Sequence, residues 1–171
     1  RPDAGAFPAS VLGNTAGNPG ERYVDIRAIS VRNLMVARLD QARAKGCDGV
    51  DLDHIDSFEN NSGFPLTANL AIDYVRFLSS AARDRGLLVG TRSAASIASS
   101  IAQYADAAVV EQCYQYNECG SYQAFANAGK AVLITEYSAF SQALCDQARA
   151  SGYSLVFANA ALDGSVYQPC P

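Results

Sequence analysis

Two hydrophobic periods take turns along the chain. VRNLMVARLDQARAKG spaces Val31, Leu34, Met35, Leu39 and Ala42 along one helical face, and Gly46 ends that helix. CDGVDLDHID then predicts a strand. LTANLAIDYVRFLSSAARDRG returns to helical spacing, with Thr67 placed to cap its start and Gly86 to stop it, and LLVGTRS is again a strand. The rhythm continues through helix SAASIASSIAQYA, strand AAVVEQC, helix SYQAFANAG, strand KAVLITEY, helix SQALCDQARASG and strand SLVFANAAL. Ahead of them lie a Gly-, Pro- and Asn-rich stretch, Arg1 to Glu21, and the short extended piece RYVDIRAIS.

Five apolar β segments, each preceded by a helix, predict parallel strands with both faces covered. Asp53, Arg92, Glu111, Glu136 and Asn159 each sit at or just past the carboxyl end of such a strand, where a parallel α/β barrel gathers its active site. The glycine fingerprints of Rossmann and P-loop folds do not occur in the sequence. The expected fold class is therefore α/β, a (β/α)8 TIM-type barrel of which this chain supplies about five C-terminal β/α units. Residues 1–171 are expected to form one barrel domain, with about three more units preceding Arg1. A first residue of Arg1 rather than Met agrees with a processed or shortened chain.

Charge and composition narrow the partners. A net charge of −4 without a basic run argues against a nucleic-acid partner, and no apolar run approaches the ~20 residues of a membrane helix. Cys47, Cys113, Cys119, Cys145 and Cys170 are many for a reducing compartment, and the lone His54 is remote in sequence from every pair, so no zinc pattern arises. A secreted, disulfide-bonded protein is expected.

The segments ERYVDIRAISVRNLMVARLD, GVDLDHIDSFENNSGFPLT, VVEQCYQYNEC and GKAVLITEY resemble, in order and spacing, glycoside hydrolase family 114, the endo-α-1,4-polygalactosaminidases. The resemblance runs over nearly the whole chain. It implies a (β/α)8 barrel, a galactosamine-containing polysaccharide as substrate, no cofactor, and catalytic acids at two strand ends that fall on Asp53 and Glu111. His54 stands where relatives tend to have Asn, and GTRS where Lys and Asn are common. By analogy with retaining α-glycosidases, Asp53 is the expected nucleophile and Glu111 the acid/base. The carboxyl separation that distinguishes retention (~5 Å) from inversion (~6.5–9.5 Å) cannot be read from sequence.

Other residues fill in the expected site. Asp51 shares the parity of Asp53, and with Asp56 and Glu59 makes four carboxylates in the eleven residues from Gly49 to Glu59. Like charges at that spacing repel unless one is protonated or a cation lies between them, and the ammonium of an amino sugar supplies such a cation. Calcium would be another, but an EF-hand loop begun at Asp51 has Ile55 at its fifth position, Asp56 at its sixth and Ser62 at its twelfth, which breaks that pattern. No metal is expected. Asp51, Asp56, Tyr114, Tyr116, Glu136, Tyr137 and Asn159 are the expected substrate contacts, with Arg92 neutralising a neighbouring acid. His54 either assists proton transfer or, as its outward parity favours, plays a structural part. Cys113 and Cys119 bracket YQYNE and are expected to close a tight loop; Cys145 and Cys170 would join the last helix to the tail, leaving Cys47 as core filler. Asn60-Asn61-Ser62 is a glycosylation sequon.

The leading function is thus a secreted glycoside hydrolase that cleaves internal α-1,4 linkages, acting as a monomer once the barrel is complete. The alternative is a non-catalytic polysaccharide-binding remnant of such a barrel. An aldolase is disfavoured because Lys45 and Lys130 both precede strands rather than end them.

Overall fold

The computed structural model describes residues 3–17 and 19–171; Arg1, on which the expectation of a shortened chain rests, Pro2 and Asn18 lie outside the described residues. The chain divides into two compact units, Arg1–Val89 and Gly90–Pro171.

After two 3-10 turns, Ala4–Ala6 and Ala9–Val11, the first unit forms a hairpin whose pairing periodicity did not show. Strands β1 (Leu12–Thr15) and β2 (Arg22–Val24) pair antiparallel, with Leu12 opposite Val24 and Thr15 opposite Arg22. The hairpin's first strand arises inside the Gly-, Pro- and Asn-rich stretch, too short to show alternation, and its second is the start of the extended piece RYVDIRAIS. Arg22 ties it across, donating from Nε to Gly13 O and from Nη2 to Leu12 O. Helix α1 (Ile29–Ala44) starts two residues before Val31 and ends where expected: Gly46 takes a left-handed φ of 79°, and Cys47 N–H returns to Ala42 O. Strand β3 (Gly49–Leu52) and helix α2 (Ala68–Arg83) follow, and Thr67 Oγ1 accepts from Leu70 N–H at 3.3 Å, the predicted cap.

Burial holds these elements together. Phe7, Val11 and Val31 form one cluster with Leu12, Val24 and Leu34 against it; Ile26, Leu66, Tyr74 and Leu78 form another that receives Leu52 of β3. Arg32 bridges α1 and α2, pairing with Asp73 at 2.9 Å while its guanidinium lies 4.9 Å from the Phe77 ring centroid.

The second unit is built on a sheet, with helices in its connections. Strands β4 (Leu88–Arg92), β5 (Ala107–Glu111), β6 (Ala131–Glu136) and β7 (Ser154–Ala158) pair in parallel, and β8 (Tyr167–Pro169) closes antiparallel on β7. Glu111 lies opposite Thr135, and Glu136 opposite Phe157. The parallel run agrees with the sequence, but two-sided coverage does not. Ala108, Val110, Val132, Ile134, Leu155 and Phe157 are buried, whereas Leu133, on the other side of β6, is 45 % exposed. Alternation is thus real within strands whose composition is uniformly apolar.

The helices of this unit are shorter than predicted. SAASIASSIAQYA yields a 3-10 turn, Ala95–Ile97, and one turn of helix, α3 (Ala98–Ile101). Its serines favour local backbone bonding over a long helix, and Lys130 Nζ takes the carbonyls of Ala102 and Ala105 at 2.6 Å each just beyond it. Helices α4 (Gln123–Asn127) and α5 (Gln142–Ala150) complete the unit, with Ser141 Oγ capping α5. Disulfides join Cys113 to Cys119 and Cys145 to Cys170, as expected. Cys47 is free but exposed, so it is not core filler; its side chain leaves the core at the turn between Gly46 and β3. Among the described residues no helix is long and apolar enough to cross a membrane.

Candidate active site

The candidate residues fall in both units, at strand ends. In the first, Leu52 turns toward the helices and packs into their cluster, so strand parity sends Asp51 and Asp53 to the opposite face, where both are exposed. His54 follows with a left-handed φ of 55°, a backbone region uncommon for residues other than glycine, among which Asn, Asp and His enter it most readily. That conformation lets the His54 amide turn back and donate to Asp53 Oδ1 at 2.8 Å. The aspartate is therefore oriented by its neighbour's backbone.

The left-handed residue breaks the strand, and the imidazole is exposed, set edge-on to Tyr23 at 6.4 Å between centroids with Nε2 4.0 Å from Glu21 Oε2. The hairpin thereby meets the acidic loop. A second contact lies further along, where Asn14 N–H donates to Ser62 O at 2.9 Å and Asn14 Nδ2 donates to the backbone and side-chain oxygens of Asn61. Glu21, Tyr23 and Asn14 had no signal in the sequence, since they lie about thirty to fifty residues from their partners. Asp56 is half-buried, and desolvation pushes its carboxyl above the ordinary range against the opposing pull of a backbone hydrogen bond and His54. Asn60, the sequon acceptor, is exposed. Among the described residues no group of three His, Cys, Asp or Glu side chains is arranged to hold a metal ion.

In the second unit the ends of β4, β5 and β6 converge on Glu111. Arg92 Nη1 pairs with Glu111 Oε1, and the Tyr137 hydroxyl donates to Oε2 at 2.8 Å. Both oxygens are thus engaged. Arg92 neutralises a neighbouring acid, as its charge led one to expect. The Tyr137 phenol is pushed up to about 12, chiefly by burial and secondarily by its bond to Glu111. Immediately after Glu111 the chain repeats the device seen after Asp53: Gln112 has a left-handed φ of 59°, and its amide donates to Thr135 O at 2.8 Å. Ser93, past the end of β4, is left-handed too (φ 40°), and its Oγ accepts from Glu111 N–H at 3.4 Å. Such backbone is costly for non-glycine residues and clusters at functional sites.

The remaining candidates separate by exposure. Tyr116 is 60 % exposed and Tyr114 half-buried, both in the loop closed by Cys113–Cys119. Glu136 is 1 % exposed and its Oε1 accepts from Tyr114 N–H at 2.8 Å. Asn159 Nδ2 donates to Asp163 Oδ1 and Ser165 Oγ, both at 2.7 Å, while its Oδ1 is buried with no hydrogen-bond partner. The amides and hydroxyl around Asp163 hold its carboxyl down at about 2.

Known proteins bear on this arrangement. The profile of glycoside-hydrolase family GH114 matches residues 1–171. Among solved structures, Ega3 from Aspergillus fumigatus, crystallised in complex with galactosamine, is similar at a TM-score of 0.89 and 38 % identity, covering 99 % of this chain and 73 % of that one. The glycoside hydrolase domain of PelA from Pseudomonas aeruginosa has a TM-score of 0.66 at 20 % identity, covering 96 % of this chain and 74 % of that one, a likeness of fold. No curated protein sequence matches. The fold class is accordingly the α/β, TIM-type barrel class anticipated from the strand ends.

Proposed function

The chain belongs to glycoside-hydrolase family GH114, and from that membership we propose that it is a secreted enzyme cleaving internal α-1,4 linkages of galactosamine-containing polysaccharide. The observation that carries this reading is the setting of Glu111, a strand-end carboxylate with a different donor on each oxygen. The galactosamine complex of a 38 % identical relative supports the sugar, and two disulfides agree with an oxidising destination.

Glycoside hydrolysis divides between two carboxyl groups. Asp53 would attack the anomeric carbon and form a glycosyl ester, its carboxylate oriented by the His54 amide on Oδ1. Glu111 would protonate the leaving glycosidic oxygen and then, as the conjugate base, deprotonate the water that cleaves the ester. A guanidinium has no acceptor, so Arg92 keeps Oε1 as the accepting oxygen and the transferable proton falls to Oε2. Tyr137 is suited to that oxygen, because its hydroxyl rotates between donating to a carboxylate and accepting from a carboxylic acid. Asp51 and Asp56 would attract the substrate's ammonium groups, and Tyr114, Tyr116, Tyr137 and Asn159 would contact the sugar rings and hydroxyls.

The test is digestion of a partly deacetylated α-1,4-galactosamine polymer by the full-length protein. Endo-cleavage is expected to yield a ladder of oligosaccharides with the chain length falling early. Retention of the polymer without any new reducing ends would instead identify a binding module.

A further inference from the structure

Glu136 is the one candidate acid that has been removed from solvent. It ends β6 at 1 % exposure, and its Oε1 accepts the Tyr114 amide at 2.8 Å. Burial pushes its carboxyl up, while the amides of Tyr114 and Gln115 draw it back down. A buried carboxylate is tolerable only where such donors replace water, and here the donors are consecutive amides of one loop.

That loop carries the tyrosines next in the chain to Glu111. Its ends are fixed by the Cys113–Cys119 disulfide and by Tyr153, whose hydroxyl donates to Cys119 O at 3.1 Å. Its body turns through Tyr116 N–H to Gln112 O at 3.0 Å and Glu118 N–H to Cys113 O at 2.8 Å. A disulfide constrains the two cysteines but leaves the torsions of the five residues between them free. A contact inside the loop is what settles them. We propose that Glu136 is a positioning residue, whose buried carboxylate anchors the Tyr114–Gln115 backbone and so presents Tyr114 and Tyr116 beside Glu111. It is not an ammonium ligand, because a carboxylate enclosed in this way has no face to offer a substrate. The claim that the loop meets sugar rests on the proposed hydrolase function; the anchoring itself does not.

Two variants of the full-length protein, Glu136→Ala and Glu136→Gln, separate these roles. Without substrate, hydrogen exchange at Tyr114 and Gln115 is expected to speed by about tenfold or more in Glu136→Ala, and by less in Glu136→Gln, whose carbonyl still accepts one amide. On the galactosamine polymer, KM is expected to rise several-fold more than kcat falls in Glu136→Ala, with Glu136→Gln recovering most of the loss. Unchanged exchange in Glu136→Ala overturns the anchor. A KM in Glu136→Gln as poor as in Glu136→Ala also overturns it, since only a role for the charge itself would erase the rescue. Should Glu136→Ala not fold, the exchange and KM of Glu136→Gln against wild type carry the test, with wild-type values for exchange and a large KM increase counting against the proposal. If the wild-type protein cleaves no galactosamine polymer, the hydrolase reading fails while the exchange data still decide the anchor.

Discussion

Asp53 in the first unit and Glu111 in the second are alike in local build and unlike in support. Each ends a strand, and each is followed by a non-glycine residue with left-handed backbone, His54 at 55° and Gln112 at 59°. This sharp turn stops the strand and lifts the acid to its end, at a cost of roughly 1–2 kcal/mol per residue. Asp53 Oδ1 accepts from the backbone of the next residue, and Glu111 is held by two side chains, Arg92 and Tyr137, from neighbouring strand ends. Support from a main-chain amide survives most substitutions, whereas support from side chains can be removed one group at a time. Glu111 should therefore respond to changes at Arg92 and Tyr137, and Asp53 should keep its amide bond when the His54 side chain is changed, although the two acids respond alike when they are themselves replaced.

Replacing the acids has the largest expected effect. Asp53→Asn and Glu111→Gln are nearly isosteric and should leave the circular dichroism spectrum unchanged while reducing polymer cleavage by ~10²–10⁴-fold or more. Retention of more than about a tenth of wild-type turnover by either variant would remove that residue from the chemistry and turn attention to Asp51.

Replacing the neighbours sharpens the contrast. Tyr137→Phe and Arg92→Gln each free one oxygen of Glu111, and kcat should fall by roughly tenfold or more because the proton donor loses its orientation. His54→Ala keeps the amide that Asp53 uses, so kcat should change by less than about threefold. Equal losses in His54→Ala and Tyr137→Phe would show that the imidazole, rather than the amide, matters at Asp53.

The smallest effects are titrations, which need no substrate. Absorbance titration should show one tyrosine ionising near 12 that disappears in Tyr137→Phe. Its folded-state value lies above the ordinary value of 10.0, so its contribution to stability is complete below pH 10 and is lost as pH rises from there through 12. A Tyr137 that titrates with the exposed tyrosines would contradict its bond to Glu111. At the end of β7 the sign reverses. Asp163, held down at about 2 from an ordinary 3.8, stabilises above pH 3.8 and loses that contribution as pH falls through 2. Asn159→Ala should move its carbon-13 carboxyl titration upward; no movement would mean that Asn159 does not hold it.

Much of the fold could be read directly from the sequence because it is encoded over a few residues. The spacing of Val31, Leu34, Met35 and Leu39, the Thr67 cap, and the left-handed glycines after α1 and α2 are local signals with local consequences. The strand-end positions of Asp53, Glu111 and Glu136 follow from the same periodicity, and short spacing made the Cys113–Cys119 pair legible. Strand β1 and its pairing with β2 were not legible, since strands of four and three residues show no period.

Which strand-end acid faces solvent, and what touches it, was decided only by tertiary structure. Asp53 and Glu136 look equivalent as sequence, yet one is exposed and the other is 1 % exposed beneath the Tyr114 amide. The partners that make the difference are distant along the chain: Tyr137 lies 26 residues from Glu111, Arg92 lies 19 from it, and Asn14 lies 47 from Asn61. Cys47 was misplaced because strand parity stops having meaning where the chain turns, and a single left-handed residue, Gly46, is enough to turn it. A sequence pattern records the preference of each residue for one side of its own element. The contacts of that side depend on how separate elements are brought together, and this is set by the packing of the whole core.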